Sequence, residues 1–366
     1  MSGPRPAPED RADRLAKGVA GLGLDALIVG DLVNPGDSGR EAMADITWLT
    51  GFGGSSALVA IGPEIRAFLT DFRYAEKARE LLPESWDLVE VSAKMIPKLA
   101  GLLSGTVGID ETQTSVETHR KLLDDVGEGV ELTAAEGLVE GLRRVKDERE
   151  IEAIAAATAL ADEVFGFVEE RGLAGRTERE VALAAEARMR ELGAENPSFA
   201  SIVAAAANGA SPHAVPSERE IGSGEYVVVD MGAILDGYCS DGTRTLVDGD
   251  PDPGQREVYE LVLAAQSAGL DAVRAGQPGR DVDAVAREVI KEAGYGEQFG
   301  HGLGHGVGIE VHESPRVSKS SEDELMAGDV ISIEPGVYIP GEFGVRIEDL
   351  VLVTEDGHRN FSSYPK

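Results

Sequence analysis

Apolar residues come in two kinds of run along the first 130 residues. Short continuous stretches, Leu24 to Val29, Ala57 to Ile61, Ala67 to Leu69 and Val107 to Asp110, predict buried strands. Helical spacing appears from Tyr74 to Leu82, where Pro83 stops it, and from Ser115 to Leu123. Strands alternating with helices predict an α/β layer domain. Further on, a charged stretch from Leu142 to Glu150 runs into an alanine-rich helix over Ile151 to Val168. Two more helices are predicted near Glu178 to Leu192 and Gln255 to Val273. Strands are predicted over Tyr226 to Met231, Tyr238 to Val247, Val330 to Glu334 and Gly344 to Val353. Helical pairs on a curved, mostly antiparallel sheet make the second half an α+β domain. The boundary is expected between about 125 and 145 and is set at 133/134, giving domains 1–133 and 134–366.

Composition narrows the function classes. A chain of 366 residues, 42% hydrophobic, can bury sizeable cores. Its single cysteine, Cys239, forms no intrachain disulfide, which fits a reducing compartment. The polar, proline-rich Met1 to Asp10 does not read as a signal peptide, and no apolar stretch of about 18 residues occurs. A soluble, cytoplasmic protein is expected. The formal net charge of −32 repels nucleic acid and anionic membranes. Such dense carboxylates suit a halophilic cytoplasm, where salt screens self-repulsion, with an acidic mesophilic enzyme as the alternative. Gly51-Phe52-Gly53-Gly54 lacks the spacing of a phosphate loop and reads as a tight turn.

Candidate chemistry lies in the second half. Asp230 and Asp241 sit in strand-like runs joined by a turn over Leu235 to Gly237. A turn centred on Leu235-Asp236 makes the aspartates face each other, and one on Asp236-Gly237 makes them diagonal neighbours on one face. Two carboxylates on one face repel unless a cation lies between them. Glu334 and Glu348 repeat the pattern around Pro340-Gly341-Glu342, each beside an isoleucine. Arg346 shares a face with Glu348, and a plain Arg–Glu pair is the simpler alternative there. Three of the six histidines, His301, His305 and His312, fall in GHGLGHGVGIEVHE. Its glycines argue against a helix and for an extended, closely approached backbone carrying His305 as a ligand. The following GIEVHE, read as a strand, carries His312 away from it. His213, in NGASPHAVP, reads on its own as a surface histidine. Four carboxylates and an imidazole favour a hard or borderline divalent ion over a thiolate zinc site. Two such ions about 3.5–4 Å apart would activate water and polarise a carbonyl, which is metal-assisted hydrolysis.

These segments resemble the pita-bread-fold metallopeptidases, in the Xaa-Pro dipeptidase (prolidase) and Xaa-Pro aminopeptidase branch. VVVDMGA, SDGTRT, GHGLGHGVG, SIEPGVY and GVRIED match the family's ligand motifs, and TWLTGFGGSSALV, FLTDFRY and VGIDE match a creatinase-type N-terminal domain. The resemblance covers essentially the whole chain. It implies a creatinase-like α/β N-terminal domain followed by an α+β pita-bread domain, a curved antiparallel sheet covered by helices. It implies Asp230, Asp241, His305, Glu334 and Glu348 as ligands of two divalent ions, manganese first with cobalt or zinc as alternatives. Glu334 would also take the proton of the attacking water. His213 and His312 would contact substrate, and His301 and Arg346 match further active-site positions. Tyr238 is expected either beside the metals or as a core aromatic. The implied substrate is a short Xaa-Pro peptide, with the dipeptide favoured over longer peptides, and the implied assembly is a homodimer. Relatives often carry a glycine for one alanine of AAAANGAS, and a larger residue at Gly242, which bears on pocket shape. Methionine aminopeptidase shares the ligands but not this front domain or the HGLGHGVGIEVHE and GVRIED context. Creatinase-like hydrolases share both domains but not the ligand set. A non-catalytic binding protein is the reading from a different class.

Overall fold

The computed structural model describes residues 9–366 apart from 35–37, 93 and 136. It divides into two compact units, Met1–Arg143 and Arg144–Lys366. In the first, the predicted strands appear as Ala26–Val29, Ala57–Ile61, Arg66–Thr70 and Gly105–Ile109. They form a six-stranded mixed sheet with Asp87–Glu90 and Val130–Ala134 at its edges. Those edge strands lie outside the predicted set because their alternate positions are exposed or half-exposed, which leaves no apolar run to read. The predicted helices appear as Ala75–Leu81 and Val116–Asp125, the latter capped by the Ser115 hydroxyl on the Thr118 N–H at 3.1 Å.

The second unit has four long helices among the described residues, in two pairs. Glu148–Arg171 packs with Glu178–Glu191, and Pro253–Ala272 with Gly279–Glu292. Capping boxes start three of them, at Asp147/Glu150, Thr177/Glu180 and Asp252/Gln255. Gly279–Glu292 lies outside the predicted helices. The first pair buries Val164, Phe165, Val181 and Met189 against Val203, Val227 and Val229. The second buries Val262, Ala265 and Ala286 against Ile331, Ile333, Val345 and Ile347. Each core thus backs one half of an antiparallel strand system.

Two strands expected to be continuous are each broken where the candidate ligands sit. Tyr238 to Val247 resolves into Tyr238–Cys239 and Thr243–Leu246, leaving Asp241 between them. Gly344 to Val353 resolves into Phe343–Arg346 and Asp349–Val353, leaving Glu348 between them. The breaks meet. The Glu348 N–H donates to the Thr243 carbonyl at 3.1 Å, and the Thr245 hydroxyl bonds both the N–H and the carbonyl of Arg346. Several backbone groups released by one ladder thus find partners on the other.

The histidine segment is extended, as its glycines suggest. Gly304–Gly306 forms a strand between Glu313–Val317 and Val330–Ile333. A Cβ on Gly304 would lie 1.9 Å from the Ser332 carbonyl oxygen, and one on Gly306 2.2 Å from that of Ser314. Only glycine lets the neighbouring backbones come this close. Gly304→Ala should therefore destabilise the fold by about 2–3 kcal/mol through overpacking against rigid backbone. A lowered denaturation midpoint would register it, whereas an unchanged midpoint would show that the strand can move away.

Candidate metal centre

Register brings the acids together. The Asp236-Gly237 turn, with φ of 49° and 84°, pairs Leu235 with Tyr238, and the same register pairs Asp230 with Thr243. Asp241, two residues before Thr243, is therefore the diagonal neighbour of Asp230 on one face. Gly336 faces Arg346 in one ladder and Ile333 faces Asp349 in the next, so Glu334 and Glu348 lie opposite each other across the break. One ligand atom each from Asp241, His305 and Glu348 lies within 4.8 Å of the others. His305 Nε2 is also 3.4 Å from Glu334 Oε1 and 3.6 Å from Asp241 Oδ2.

The cluster is buried, and part of its hydrogen-bonding capacity is unused. Asp230 is 9% exposed, Asp241 6% and Glu348 1%. Asp230 Oδ1, Asp241 Oδ1 and Glu348 Oε1 have no hydrogen-bond partner in the structure. Three of the other oxygens are held: Thr243 donates to Glu348 Oε2 at 2.8 Å, Ser332 to Glu334 Oε1 at 3.3 Å, and Arg346 to Asp230 Oδ2 at 2.6 Å. His305 Nδ1 lies 3.1 Å from its neighbour's carbonyl, Gly306 O, which fixes the proton there and leaves the Nε2 lone pair toward the acids. Buried carboxylate oxygens without donors, next to an imidazole lone pair, are the donor set that divalent cations take.

Burial sets the protonation of the metal-free cluster. Desolvation and then the charge of Glu348 raise Asp241 well above the usual carboxylate range. Desolvation followed by Glu334 does the same to Glu348, and raises Asp230 against the pull of Arg346. Glu334 is also penalised by burial, yet His305 holds it below its ordinary value. His305 is raised because Glu334 outweighs its own desolvation.

Around this cluster the structure amends two expectations, for His312 and Arg346, and decides between the two readings of Tyr238. His312 is not carried away on a strand: residues 308–312 form bends, and its ring stands edge-on to His305 with centroids 4.4 Å apart. The glycines around Gly308 let the chain turn back where a strand would have continued. Arg346 pairs with Asp230 rather than with Glu348, because the meeting of the two hairpins puts Asp230 within reach of its guanidinium. Tyr238 donates to Glu150 at 3.0 Å and packs with Ile154 and Ile234, the core reading.

The tyrosine at the cluster is Tyr338, which the sequence reading missed. It lies diagonal to Arg346 in the Gly336–Ile339/Phe343–Arg346 hairpin, so the turn that aligned the glutamates already implied it. Arg346 donates to the Tyr338 hydroxyl at 2.7 Å, leaving that hydroxyl to donate to His301 Nε2 at 2.9 Å. His301 Nδ1–H donates to Gly302 O at 2.7 Å, and burial lowers its pKa, so the imidazole is neutral. His213 is exposed on a loop, but the carbonyl just before it, Pro212 O, accepts from Arg346 at 3.2 Å. Beneath the ligands, Arg244 is 2% exposed and donates to Thr243 O, Asp349 and the carbonyls of Tyr364 and Pro365, while contacting Glu348 O. A Cβ at Gly242 would lie 3.6 Å from the Phe165 ring, an ordinary contact.

The raised carboxylates give a signed prediction. As protonated groups they stabilise the metal-free fold below the ordinary carboxylate range, and that contribution is lost as pH rises through their elevated pKa values. A bound cation displaces those protons. The rise in melting temperature on adding a divalent metal should thus grow from about pH 5 to pH 8, with proton release in calorimetry. A metal-induced shift independent of pH would contradict the arrangement.

The model of metallopeptidase family M24 matches residues 152–355, and that of the creatinase/prolidase N-terminal domain matches residues 11–145. The chain is 38% identical over 312 residues to the Xaa-Pro dipeptidase of Pyrococcus furiosus, covering 84% of this chain and 87% of the relative. It superposes on the Xaa-Pro dipeptidase of Bacillus anthracis with a TM-score of 0.90 and 34% identity, covering 98% of each chain. The X-Pro aminopeptidase of Thermotoga maritima gives 0.87 and 35%, over 97% of this chain and 98% of that one. No helix among the described residues is long and apolar enough to cross a membrane. With motifs, register and both matches in agreement, the chain belongs to metallopeptidase family M24 and carries that family's creatinase/prolidase N-terminal domain.

Proposed function

We propose that the chain hydrolyses the bond preceding proline at the N-terminus of Xaa-Pro dipeptides and short peptides. In this reading Asp230, Asp241, His305, Glu334 and Glu348 hold two divalent metal ions. The observation that carries the assignment is the trio of buried carboxylate oxygens without donors, Asp230 Oδ1, Asp241 Oδ1 and Glu348 Oε1, beside the His305 lone pair. Similarity to Xaa-Pro dipeptidases and an X-Pro aminopeptidase over most of the chain supplies the substrate class. Dipeptides are the favoured substrates. When bound, the two cations supply an acidified water and a polarised scissile carbonyl. Manganese is the first candidate, with cobalt and zinc compatible with the same donors.

The chain's own residues then have distinct tasks. Glu334, opposite Glu348 across the hairpin break, takes the proton of the attacking water. His312, against His305, and His213, on its loop, contact the substrate and steady the oxyanion and the leaving nitrogen. Arg346 fixes one oxygen of Asp230 and, through Tyr338, the neutral His301. A proline nitrogen carries no hydrogen, so peptidases that need that donor handle its bond poorly. The net charge of −32 belongs to the same picture as a salt-adapted cytoplasmic homodimer.

Asp241→Asn should lose metal and activity together, whereas His213→Ala should keep the metal and lower kcat by about 10²–10⁴-fold. Metal content by atomic emission and rates on Xaa-Pro and Xaa-Pro-Yaa substrates decide the matter. Metal-loaded protein inert on both substrate types would overturn the reading. Falling stability on transfer to low salt should accompany the charge, and a fold indifferent to salt would remove the halophilic part.

A further inference from the structure

Glu178 is a charged side chain with no solvent exposure, and neither the metal cluster nor the fold of its own helix accounts for it. It is the first residue of the helix Glu178–Glu191, whose capping box is already completed by Thr177 and Glu180. Its carboxylate reaches instead to a single segment of chain. Oε1 accepts the Ala205 N–H at 2.7 Å. Oε2 accepts Asn208 Nδ2 at 2.8 Å, the Ser217 N–H at 2.9 Å and the Ser217 hydroxyl at 2.6 Å. Ala205 and Ser217 are the two ends of the loop that carries His213, and Asn208 lies within it. One buried carboxylate thus ties both feet of that loop and its first turn.

The loop needs such an anchor. His213 is exposed, so core packing does not aim it. Immediately after Ala205, Ala206 is held at φ 46°, a conformation that costs an alanine about 1–3 kcal/mol unless its surroundings impose it. Further along, Gly209 O sits where a Cβ on Gly344 would be, 2.0 Å away, and Pro212 O is held by Arg346. The loop is therefore pinned on one side to the hairpin bearing Arg346 and on the other to Glu178. Charge-assisted bonds to backbone N–H groups are the strong members of this set.

We propose that Glu178 is a positioning residue for the peptidase reaction, fixing the 205–217 loop so that His213 meets the substrate. It touches neither metal nor substrate and acts through the loop. The inference rests on the Xaa-Pro peptidase reading above. Glutamine cannot replace it: whichever way its amide turns, the NH₂ group faces donors at Ala205 or at Asn208 and Ser217. A shift of about 1 Å at a reacting group costs on the order of 10²-fold in rate.

The test is a double-mutant cycle on metal-loaded full-length protein, with Glu178→Gln and His213→Ala, read as kcat and KM on an Xaa-Pro dipeptide. Amide hydrogen exchange of residues 206–216 is followed in parallel. Glu178→Gln should lower kcat by roughly 10–100-fold with metal stoichiometry unchanged and loop exchange faster. In the His213→Ala background it should cost less than about twofold, since the group it positions is gone. The same loss in both backgrounds, wild-type kcat, or unchanged loop exchange would overturn the proposal. Ser217→Ala, which removes only the hydroxyl donor, serves if Glu178→Gln does not fold. It should show a several-fold fall in kcat that also vanishes with His213, and a fall that persists in that background overturns the proposal. Wild-type protein inert on Xaa-Pro peptides would sink the peptidase reading and, with it, the catalytic role of the clamp, while loop exchange still reports whether Glu178 holds the segment.

Discussion

Four carboxylates gathered at one buried point repel one another, and the catalytic unit is organised around containing that repulsion. Asp230, Asp241, Glu334 and Glu348 come from two hairpins whose cores are built by different helix pairs. In a low-dielectric setting such groups either take up protons, as the raised Asp241 and Glu348 do, or share a cation. Arg346 supplies only part of the opposing charge. The remainder is uncompensated within the chain, which is the property expected of a cation site and not of a closed salt-bridge network.

The scaffold achieves this with backbone geometry more than with side-chain packing. Both hairpins keep one register on either side of a break, so the ligand positions follow from turn type alone. Hydrogen bonds between the breaks then fix the spacing of Asp241 and Glu348. His305 arrives on a strand stripped of neighbouring side chains, where close backbone approach replaces a packed interface.

How far the sequence foretold this depends on the residue. The alternation around Asp230 and Asp241, with Asp236-Gly237 between, contained the diagonal relation that the register displays, because strand periodicity and turn type are local properties. The inner strands of the first unit were equally legible from their apolar runs. His312 was not, since the turn at residues 308–312 depends on where the chain must go next rather than on local propensity. Arg346 likewise had Glu348 as its partner by sequence, and only the meeting of two hairpins more than 100 residues apart selects Asp230. Tyr338 was within reach of the same register argument but carried no charge to draw notice. Glu178 sat among acidic helix-start residues indistinguishable from solvated ones until its burial was seen.

Arg244 links distant parts of this unit in one respect more. Its guanidinium joins the underside of the Asp241 and Glu348 segments to the carbonyls of Tyr364 and Pro365, while Lys366 reaches Asp349 at 2.5 Å. The final residues are thus wired to the floor of the metal centre. The backbone beneath the carboxylate cluster and residues 364–366 share one guanidinium, so a change in the order of either segment bears on the alignment of Thr243 and Glu348 in the other.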